Sequence, residues 1–326
     1  MLYNEPSELN ASVIVPVYNG GEGLARCLMA LSRQVTGFAF EVIVVDDASS
    51  EDISRQIDSF SAKMTLRCHR LAKNSGPGAA RNAGVALAQN NILLFTDADC
   101  VPATDWVEKM LRPFADPEVT GVKGVYITHQ HDLWARLAQL EFAERYEKLA
   151  SYAEIDFIDT YSGGYRKSAF LAAGGFNEEL RQNEDVDLAF RVKTSGARFI
   201  FVPEAAVAHT HREGWLNYAK LKYWRGYWRM RIYRSHLARA GNDTYTPGSL
   251  KIQLLLLVAL PLVVLSKSAR FIWKLCWLAS CMPLIRTALP QNPLPAAVMP
   301  LFCFIRGVAL LTGMANGLQT WMQTEK

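Results

Sequence analysis

The sequence predicts an α/β protein in which a mostly parallel central sheet is flanked by helices and followed by a hydrophobic helical region. Three observations support this. Up to about His211, short β-branched or aromatic runs alternate with stretches of helical periodicity. Acidic or glycine-rich clusters follow consecutive candidate strands, where open α/β sheets bind ligands. After about Leu250 the chain turns largely apolar. Its 326 residues, half of them hydrophobic, suffice for about two domains. We divide them into a catalytic-type domain (1–211), a basic and aromatic linker (212–249) and an apolar helical part (250–326).

The first strand is predicted over residues 13–17, ending at the turn cluster Tyr18-Asn19-Gly20-Gly21 before a helix over 24–31. The second, over 40–45, ends in Asp46-Asp47. A third covers 65–71, after which Asn74-Ser75-Gly76-Pro77-Gly78 opens an alanine-rich helix to Ala88. The fourth, over 92–96, runs into Asp97-Ala98-Asp99. Alternate residues of an extended chain point the same way, so Asp97 and Asp99 can face one pocket. Two hard oxygen ligands there suit Mn²⁺ or Mg²⁺. Taken alone, the same acids more often open a solvated loop or cap the following helix. Glu184, Asp185 and Asp187 open a helix running through Phe190 and Arg191, and a strand over 198–202 precedes His209-Thr210-His211.

Several classes are excluded. Gly21-x-Gly23 lacks the third glycine of a dinucleotide fingerprint, since Arg26 stands there, and no Walker A sequence occurs. The six cysteines form no C-x-x-C pair, which points to a reducing compartment without structural zinc. The short polar opening, residues 1–10, has no leader character, so the N-terminal domain is expected in the cytosol. A net charge of +4 with no recognisable nucleic-acid module argues against a nucleic-acid partner.

Four motifs in order carry a more specific message: Val13-Ile14-Val15-Pro16-Val17-Tyr18-Asn19, Val44-Val45-Asp46-Asp47-Ala48-Ser49, Lys73-Asn74-x-Gly76-x-x-x-Ala80-Arg81-Asn82-x-Gly84 and Asp97-x-Asp99. With Gly163-Gly164-Tyr165, Gly174-Gly175-Phe176 and Asn183-Glu184-Asp185, they resemble family 2 glycosyltransferases of the GT-A fold across residues 11–212. The resemblance implies a nucleotide-sugar site. Asp46 and Asp47 would read base or ribose as acceptor-only groups, Asp47 the better candidate, with a cap on the helix after Ser50 as the plain alternative. Pro16 and Tyr18 would lie beside the nucleotide, Tyr18 packing on the base or simply against its neighbours. Lys73, Asn74, Gly76 and Arg81 would meet the diphosphate with charge, donors and close backbone approach.

The resemblance also assigns the metal to Asp99, with Asp97 touching ribose or a metal-bound water, and makes Asp185 the base that deprotonates the acceptor, beside Glu184. His209 and His211 are candidate imidazoles for the metal or diphosphate, or surface histidines. Gly163 and Gly164 would shape the acceptor pocket, or serve as turn glycines.

One departure matters: processive members carry Gln-x-x-Arg-Trp after the base, whereas Lys222-Tyr223-Trp224-Arg225-Gly226-Tyr227-Trp228-Arg229 stands here, pointing to single-sugar addition. Arg212, Lys220, Lys222, Arg225, Arg229, Arg231, Arg234 and Arg239 form a basic stretch suited to lipid head groups. Of the apolar segments 252–265, 271–284 and 296–318, only the last comfortably spans ~30 Å of bilayer. The first two would form a hairpin turning at residues 267–270, or lie in the interface. Arg306 should face protein, phosphate or water rather than lipid. Together these features imply a membrane enzyme with its catalytic domain on the cytoplasmic side, a nucleotide-sugar donor (UDP-sugars first), and a lipid-linked or cell-surface glycan as acceptor. A polyprenyl-phosphate sugar synthase and a catalytically silent nucleotide-sugar-binding scaffold are the alternatives.

Overall fold

The computed structural model describes residues 9–236, 244, 246–264, 266–290 and 293–324. Arg239 and residues 1–8 lie outside them. In chain order the elements are β1 (Ala11–Val17), α1 (Gly21–Leu31), β2 (Phe40–Asp46), α2 (Ser54–Ser61), β3 (Leu66–Arg70), α3 (Pro77–Leu87), β4 (Ile92–Phe95), β5 (Cys100–Pro102), α4 (Trp106–Leu111), β6 (Val119–Ile127), α5 (Leu133–Ala150), β7 (Gly163–Arg166), α6 (Lys167–Ala172), α7 (Glu184–Thr194), β8 (Arg198–His209), α8 (Trp215–Ser235), α9 (Gly248–Val263), α10 (Lys267–Ala288) and α11 (Pro293–Thr324).

They form two compact units, one of residues 1–127 and 153–209, the other of residues 128–152 and 210–326. The first unit holds an eight-stranded sheet of order β3-β2-β1-β4-β7-β6-β8-β5. Four of its seven pairings are parallel: β1 with β2 and β4, β2 with β3, and β6 with β8. Strands β1, β2 and β4 are almost wholly buried, which explains their unbroken Val/Ile/Leu runs. Their parallel register brings the chain ends carrying Tyr18, Asp47 and Asp97 to one edge of the sheet.

The sequence-based boundaries hold to within a few residues except at β8. That strand was expected to stop at Val202 and instead runs to His209. The reason is a bulge: Lys123 pairs with Phe201 but Val125 with Ala206, so residues 202–205 balloon opposite Gly124 and absorb Pro203. A side chain at Gly124 would collide with Ala205 O and Ser162 Oγ. His209 therefore belongs to the strand rather than following it.

The second unit is helical. Leu137, Leu140, Tyr218, Trp277, Leu284 and Phe302 share one core cluster. Helices α9 and α10 form the expected hairpin, tied by Trp273 Nε1 donating to Leu256 O (2.8 Å) and Gln253 Nε2 to Ser280 O (3.1 Å). Its turn falls before residue 267, not at 267–270, because Ser266 caps α10 and draws those residues into the first helical turn. Residues 293–323 form the one helix, among the described residues, long and apolar enough to cross a membrane.

Candidate active site

The loops at the carboxyl ends of β1 and β2 hold one another. Asn19, at φ +49°, accepts the Ser50 N–H at Oδ1 (2.8 Å) and donates its own N–H to Ser49 Oγ (2.9 Å). Tyr18 projects beside it with 53% of its surface exposed, and Pro16 is half-buried. Asp46 is buried, accepting the Ser49 N–H (2.8 Å) and pairing with Arg70 (2.7 Å). Asp47 accepts the Ser75 N–H at Oδ1 (2.7 Å) and the Gly76 N–H at Oδ2 (2.8 Å). Neither caps the helix after Ser50: α2 begins at Ser54 with Ile53 in the capping position. The carboxylate of Asp47 occupies two of the backbone donors that lead into α3, a use the sequence reading did not foresee, although each oxygen keeps a second lone pair. Lys73 and Asn74 are exposed just before this latch. Gly76 has φ +95°, and a Cβ there would lie 2.6 Å from Arg181 Nη1, so the position requires glycine.

Arg81, on α3 and 4% exposed, is the hinge of the acidic cluster. Its Nη2 meets Asp97 Oδ1 and its Nη1 meets Glu184 Oε1, each at 2.6 Å. The guanidinium thus ties the loop after β4 to the start of α7. Glu184 is committed to this pair, and Asp185 lies half-buried next to it in the chain. Burial, reinforced by the charges of Glu184 and Asp159, pushes the Asp185 carboxyl up to about 8 against the opposing pull of Arg81 and the Val186 N–H. At neutral pH a carboxyl so placed is largely protonated, and it becomes able to accept a proton as pH rises through about 8.

Asp99 lies 3.5 Å from His209 Nε2. Burial opposes its ionisation, but the hydrogen bond and charge of His209 prevail and hold its carboxyl below the ordinary range. The pairing is built into the sheet, because Cys100 and His209 are register partners of β5 and β8. His209 stacks on Tyr126 (4.4 Å between ring centres), and Tyr126 stacks on Tyr161. Asp97, Asp99 and Cys100 place ligand atoms within 4.8 Å of one another. Burial, with Asp97 and Asp99 adding to it, keeps the Cys100 thiol protonated, so the hard donors are the two carboxylates. His211 falls in the helical unit, where its Nε2 meets Gln139 Oε1 at 2.9 Å and its ring stacks on Phe142.

Gly163 and Gly164 are strand residues of β7, paired with Phe95 and Leu94. A Cβ on Gly164 would stand 2.6 Å from Leu94 Cδ2, and one on Gly163 2.6 Å from Ile158 Cγ2. They stand in the strand rather than in a turn, and a side chain at either would crowd its neighbours. Three further features escaped the sequence reading. Lys123 is buried within β6, paired with Asp159 and donating to Tyr161 OH (3.0 Å); a lysine inside the run Val119–Ile127 was its signal. Gly23 passes so close to the acidic loop that a Cβ would lie 3.0 Å from Ala98 O. Arg81 as a bridge had no local signal, because its partner Glu184 is 103 residues away.

Residues 12–172 match the model of glycosyl transferase family 2. The chain is 32% identical over 213 residues to the pre-mycofactocin glycosyltransferase of Mycobacterium tuberculosis, an alignment covering 64% of this chain and 44% of that protein. It is 28% identical over 212 residues to glycosyltransferase AglE of Haloferax volcanii, covering 62% of this chain and 67% of that one. The chain thus spans less than half the length of the first of these relatives. Among solved structures, a mannosyltransferase of Pyrobaculum calidifontis in complex with GDP-Man and Mn²⁺ superposes with a TM-score of 0.62 at 19% identity, covering 94% of this chain and 86% of that one. The S. aureus protein TarS (residues 1–349) with UDP-GlcNAc gives 0.50 at 18% identity, covering 97% and 92%. These two likenesses establish the fold, which is GT-A.

Proposed function

Because the chain belongs to glycosyl transferase family 2, we propose that its α/β unit moves one sugar from a nucleoside-diphosphate donor to a hydroxyl of a lipid-linked or cell-surface glycan, with inversion. The observation that carries this reading is Asp185, poised near neutrality at the start of α7 beside the Arg81 bridge. The acceptor oxygen attacks the anomeric carbon as its proton passes to Asp185, and the bond from that carbon to the diphosphate oxygen breaks. Single displacement needs no second carboxylate at the sugar, which agrees with Glu184 being held by Arg81. Arg81 in turn fixes the position of Asp97, and His209 that of Asp99.

Asp99 and Asp97 fit a divalent cation, Mn²⁺ or Mg²⁺: two hard carboxylates lie close together at the partly exposed end of an acidic cluster. When bound, that ion neutralises charge developing on the departing diphosphate. Exposed Tyr18 at the β1 edge suits the nucleobase, and Lys73 and Asn74 the phosphates. Donor complexes of the structural relatives, with GDP-Man and UDP-GlcNAc, support a nucleotide sugar as donor, UDP-sugars being the first to try. The apolar C-terminal helices and the cations of α8 support residence at a membrane, catalytic unit on the cytoplasmic face.

The test is release of nucleoside diphosphate by detergent-purified full-length protein from UDP-, GDP- and dTDP-sugars, with Mn²⁺, Mg²⁺ or EDTA and a lipid extract. Metal-dependent release from one donor, abolished in Asp99→Ala and Asp185→Asn, is the expected result. Activity on a lipid phosphate that survives Asp185→Asn would replace the hydroxyl acceptor by a polyprenyl phosphate, which is already ionised. Nucleotide-sugar binding without turnover would favour the silent scaffold.

A further inference from the structure

We infer that the helical unit holds the protein in a single leaflet of an anionic membrane, with α9, α10 and α11 lying in the interface and none of them crossing. This rests on the reading that the unit is membrane-bound.

Helix α9 has 16 residues, about 24 Å at 1.5 Å per residue, which is short of the ~30 Å hydrocarbon core. Helix α10 carries Lys267, Arg270, Lys274 and Arg286 and does not qualify as a span. Helix α11 qualifies by composition, but it is bound to the wrong neighbour for a crossing. Tyr218 of α8 packs on Phe302 of α11 (4.7 Å between ring centres), and Asn316 Nδ2 donates to Tyr223 OH at 2.6 Å. A Cβ on Gly317 would lie 2.5 Å from Tyr227 O, and one on Gly313 would collide with Tyr223 O. The two helices therefore run side by side, backbone against backbone, over residues 218–230 and 302–317.

Any depth in the bilayer reached by that part of α11 is shared by Lys220, Lys222, Arg225 and Arg229 of α8. Lys222 is neutralised by Glu141, which it meets at 2.7 Å, but Lys220 is exposed, as is Arg231 just beyond. Carrying those charges to mid-bilayer is prohibitive, whereas laying the pair flat puts them at head-group level. Exposed Trp215 and Trp224, on the same basic helix, suit that level too.

The remaining surface fits one leaflet. Ile252, Leu255 and Leu262 form an exposed apolar stripe along α9, and Phe271, Leu275 and Leu278 one along α10, at i, i+4 and i+7. Lys274 stands exposed within the second stripe, where its long stem can reach back to phosphate from a shallow position. Apolar stripes beside a basic, tryptophan-bearing helix match the two layers of an anionic leaflet: acyl chains and negative head groups.

The test uses the full-length chain in closed membrane vesicles of uniform orientation, labelled with a membrane-impermeant maleimide and read peptide by peptide. Exposed native Cys68 reports the face occupied by the α/β unit. Ser268→Cys, Arg286→Cys and Gln323→Cys mark the start of α10, its end and the end of α11. Labelling of all three from the Cys68 face, at the extent seen after detergent solubilisation, is expected. The purified chain should also float with phosphatidylglycerol vesicles at least tenfold more than with phosphatidylcholine vesicles. Labelling of Arg286→Cys and Gln323→Cys from opposite faces, or of Ser268→Cys from the far face, overturns the single-leaflet arrangement and leaves membrane binding standing. Failure to float with either vesicle overturns both. Donor turnover in the labelled variants reports the catalytic proposal separately.

Discussion

Each unit of this protein buries a network of charges, and the two networks are balanced in opposite ways. In the α/β unit the guanidinium of Arg81 binds Asp97 and Glu184, Asp185 lies beside Glu184, and Asp99, next to Asp97, pairs with His209. In the helical unit one carboxylate, Glu141, gathers three cations: Lys222 at 2.7 Å, Arg145 at 2.6 Å and Arg306 at 3.9 Å, with Tyr218 OH donating to it at 2.8 Å. Glu141, Lys222 and Arg306 are each at most 2% exposed. The first network reaches solvent at Asp99 and has negative charge to spare, as a site for a cation and a travelling proton requires. The second is shut off from solvent, and Glu144, 8% exposed, adds a second carboxylate acting on Arg306. An opening to solvent separates a site from a strut better than burial or pKa displacement alone.

The sharpest way to break this contrast is to remove one carboxylate from each network. Asp185→Asn should lower turnover by about 10²–10⁴-fold, the usual worth of a general base, while the thermal midpoint holds or rises as an awkwardly buried acid is relieved. Glu141→Ala should do the reverse. Denaturant unfolding of the detergent-purified chain should show a loss of about 3–5 kcal/mol, because the buried ammonium of Lys222 loses the carboxylate it meets. Much of that loss should return when Glu141→Gln is combined with Lys222→Met. A stable Glu141→Ala variant, or an unfolded Asp185→Asn, would erase the distinction.

A pH series sharpens it. Between the ordinary carboxylate range and about 8, the folded protein holds a proton on Asp185 that the unfolded chain has released. The folded state then binds more protons, so this group's contribution to stability falls as pH rises through that window. Turnover should climb over the same window and level above about 8 as the base ionises. Asp185→Asn should flatten both profiles. A turnover profile already level from pH 6 would remove Asp185 from the role of base.

The smallest expected effect tests how finely the acidic loop is held. Gly23→Ala places a methyl 3.0 Å from Ala98 O and 3.4 Å from Asp99 Cα. We expect a several-fold loss of metal-dependent turnover, recovered in part at higher Mn²⁺, with a stability change below about 1 kcal/mol. Equal losses at all metal concentrations would point to general damage rather than displacement of Asp99.

Legibility in the sequence followed the range of the interactions. Strands β1, β2 and β4 were visible because burial on both faces leaves unbroken apolar runs. The acids at their ends were visible as local motifs. What each acid touches was not. Asp47 latches onto the Gly76 N–H 29 residues away, and Glu184 answers an arginine 103 residues away. Such pairings depend on topology, which no window of sequence contains. The true end of β8 was hidden by Pro203, a strand breaker that the bulge opposite Gly124 tolerates. Helix α5 went unplaced because its inward face mixes Leu137 and Leu140 with Glu141, Glu144 and Arg145, which blurs any hydrophobic stripe.

The assignment of α5 to the helical unit bears on how this protein can be dissected. The chain leaves the α/β unit after Ile127, returns at Ala153 and leaves again after His209, so the two parts are interleaved rather than strung in tandem. A single cut at His211, the obvious way to discard the greasy C-terminus, would strand residues 128–152. It would strip Glu141 of Lys222 and Arg306, and Leu137 and Leu140 of their core. A soluble catalytic fragment therefore calls for two edits: termination after His209, and replacement of residues 128–152 by a polar linker long enough to run back along β6, because Ile127 pairs with Ala208 at one end of β8 while Ile155 bridges Phe199 at the other.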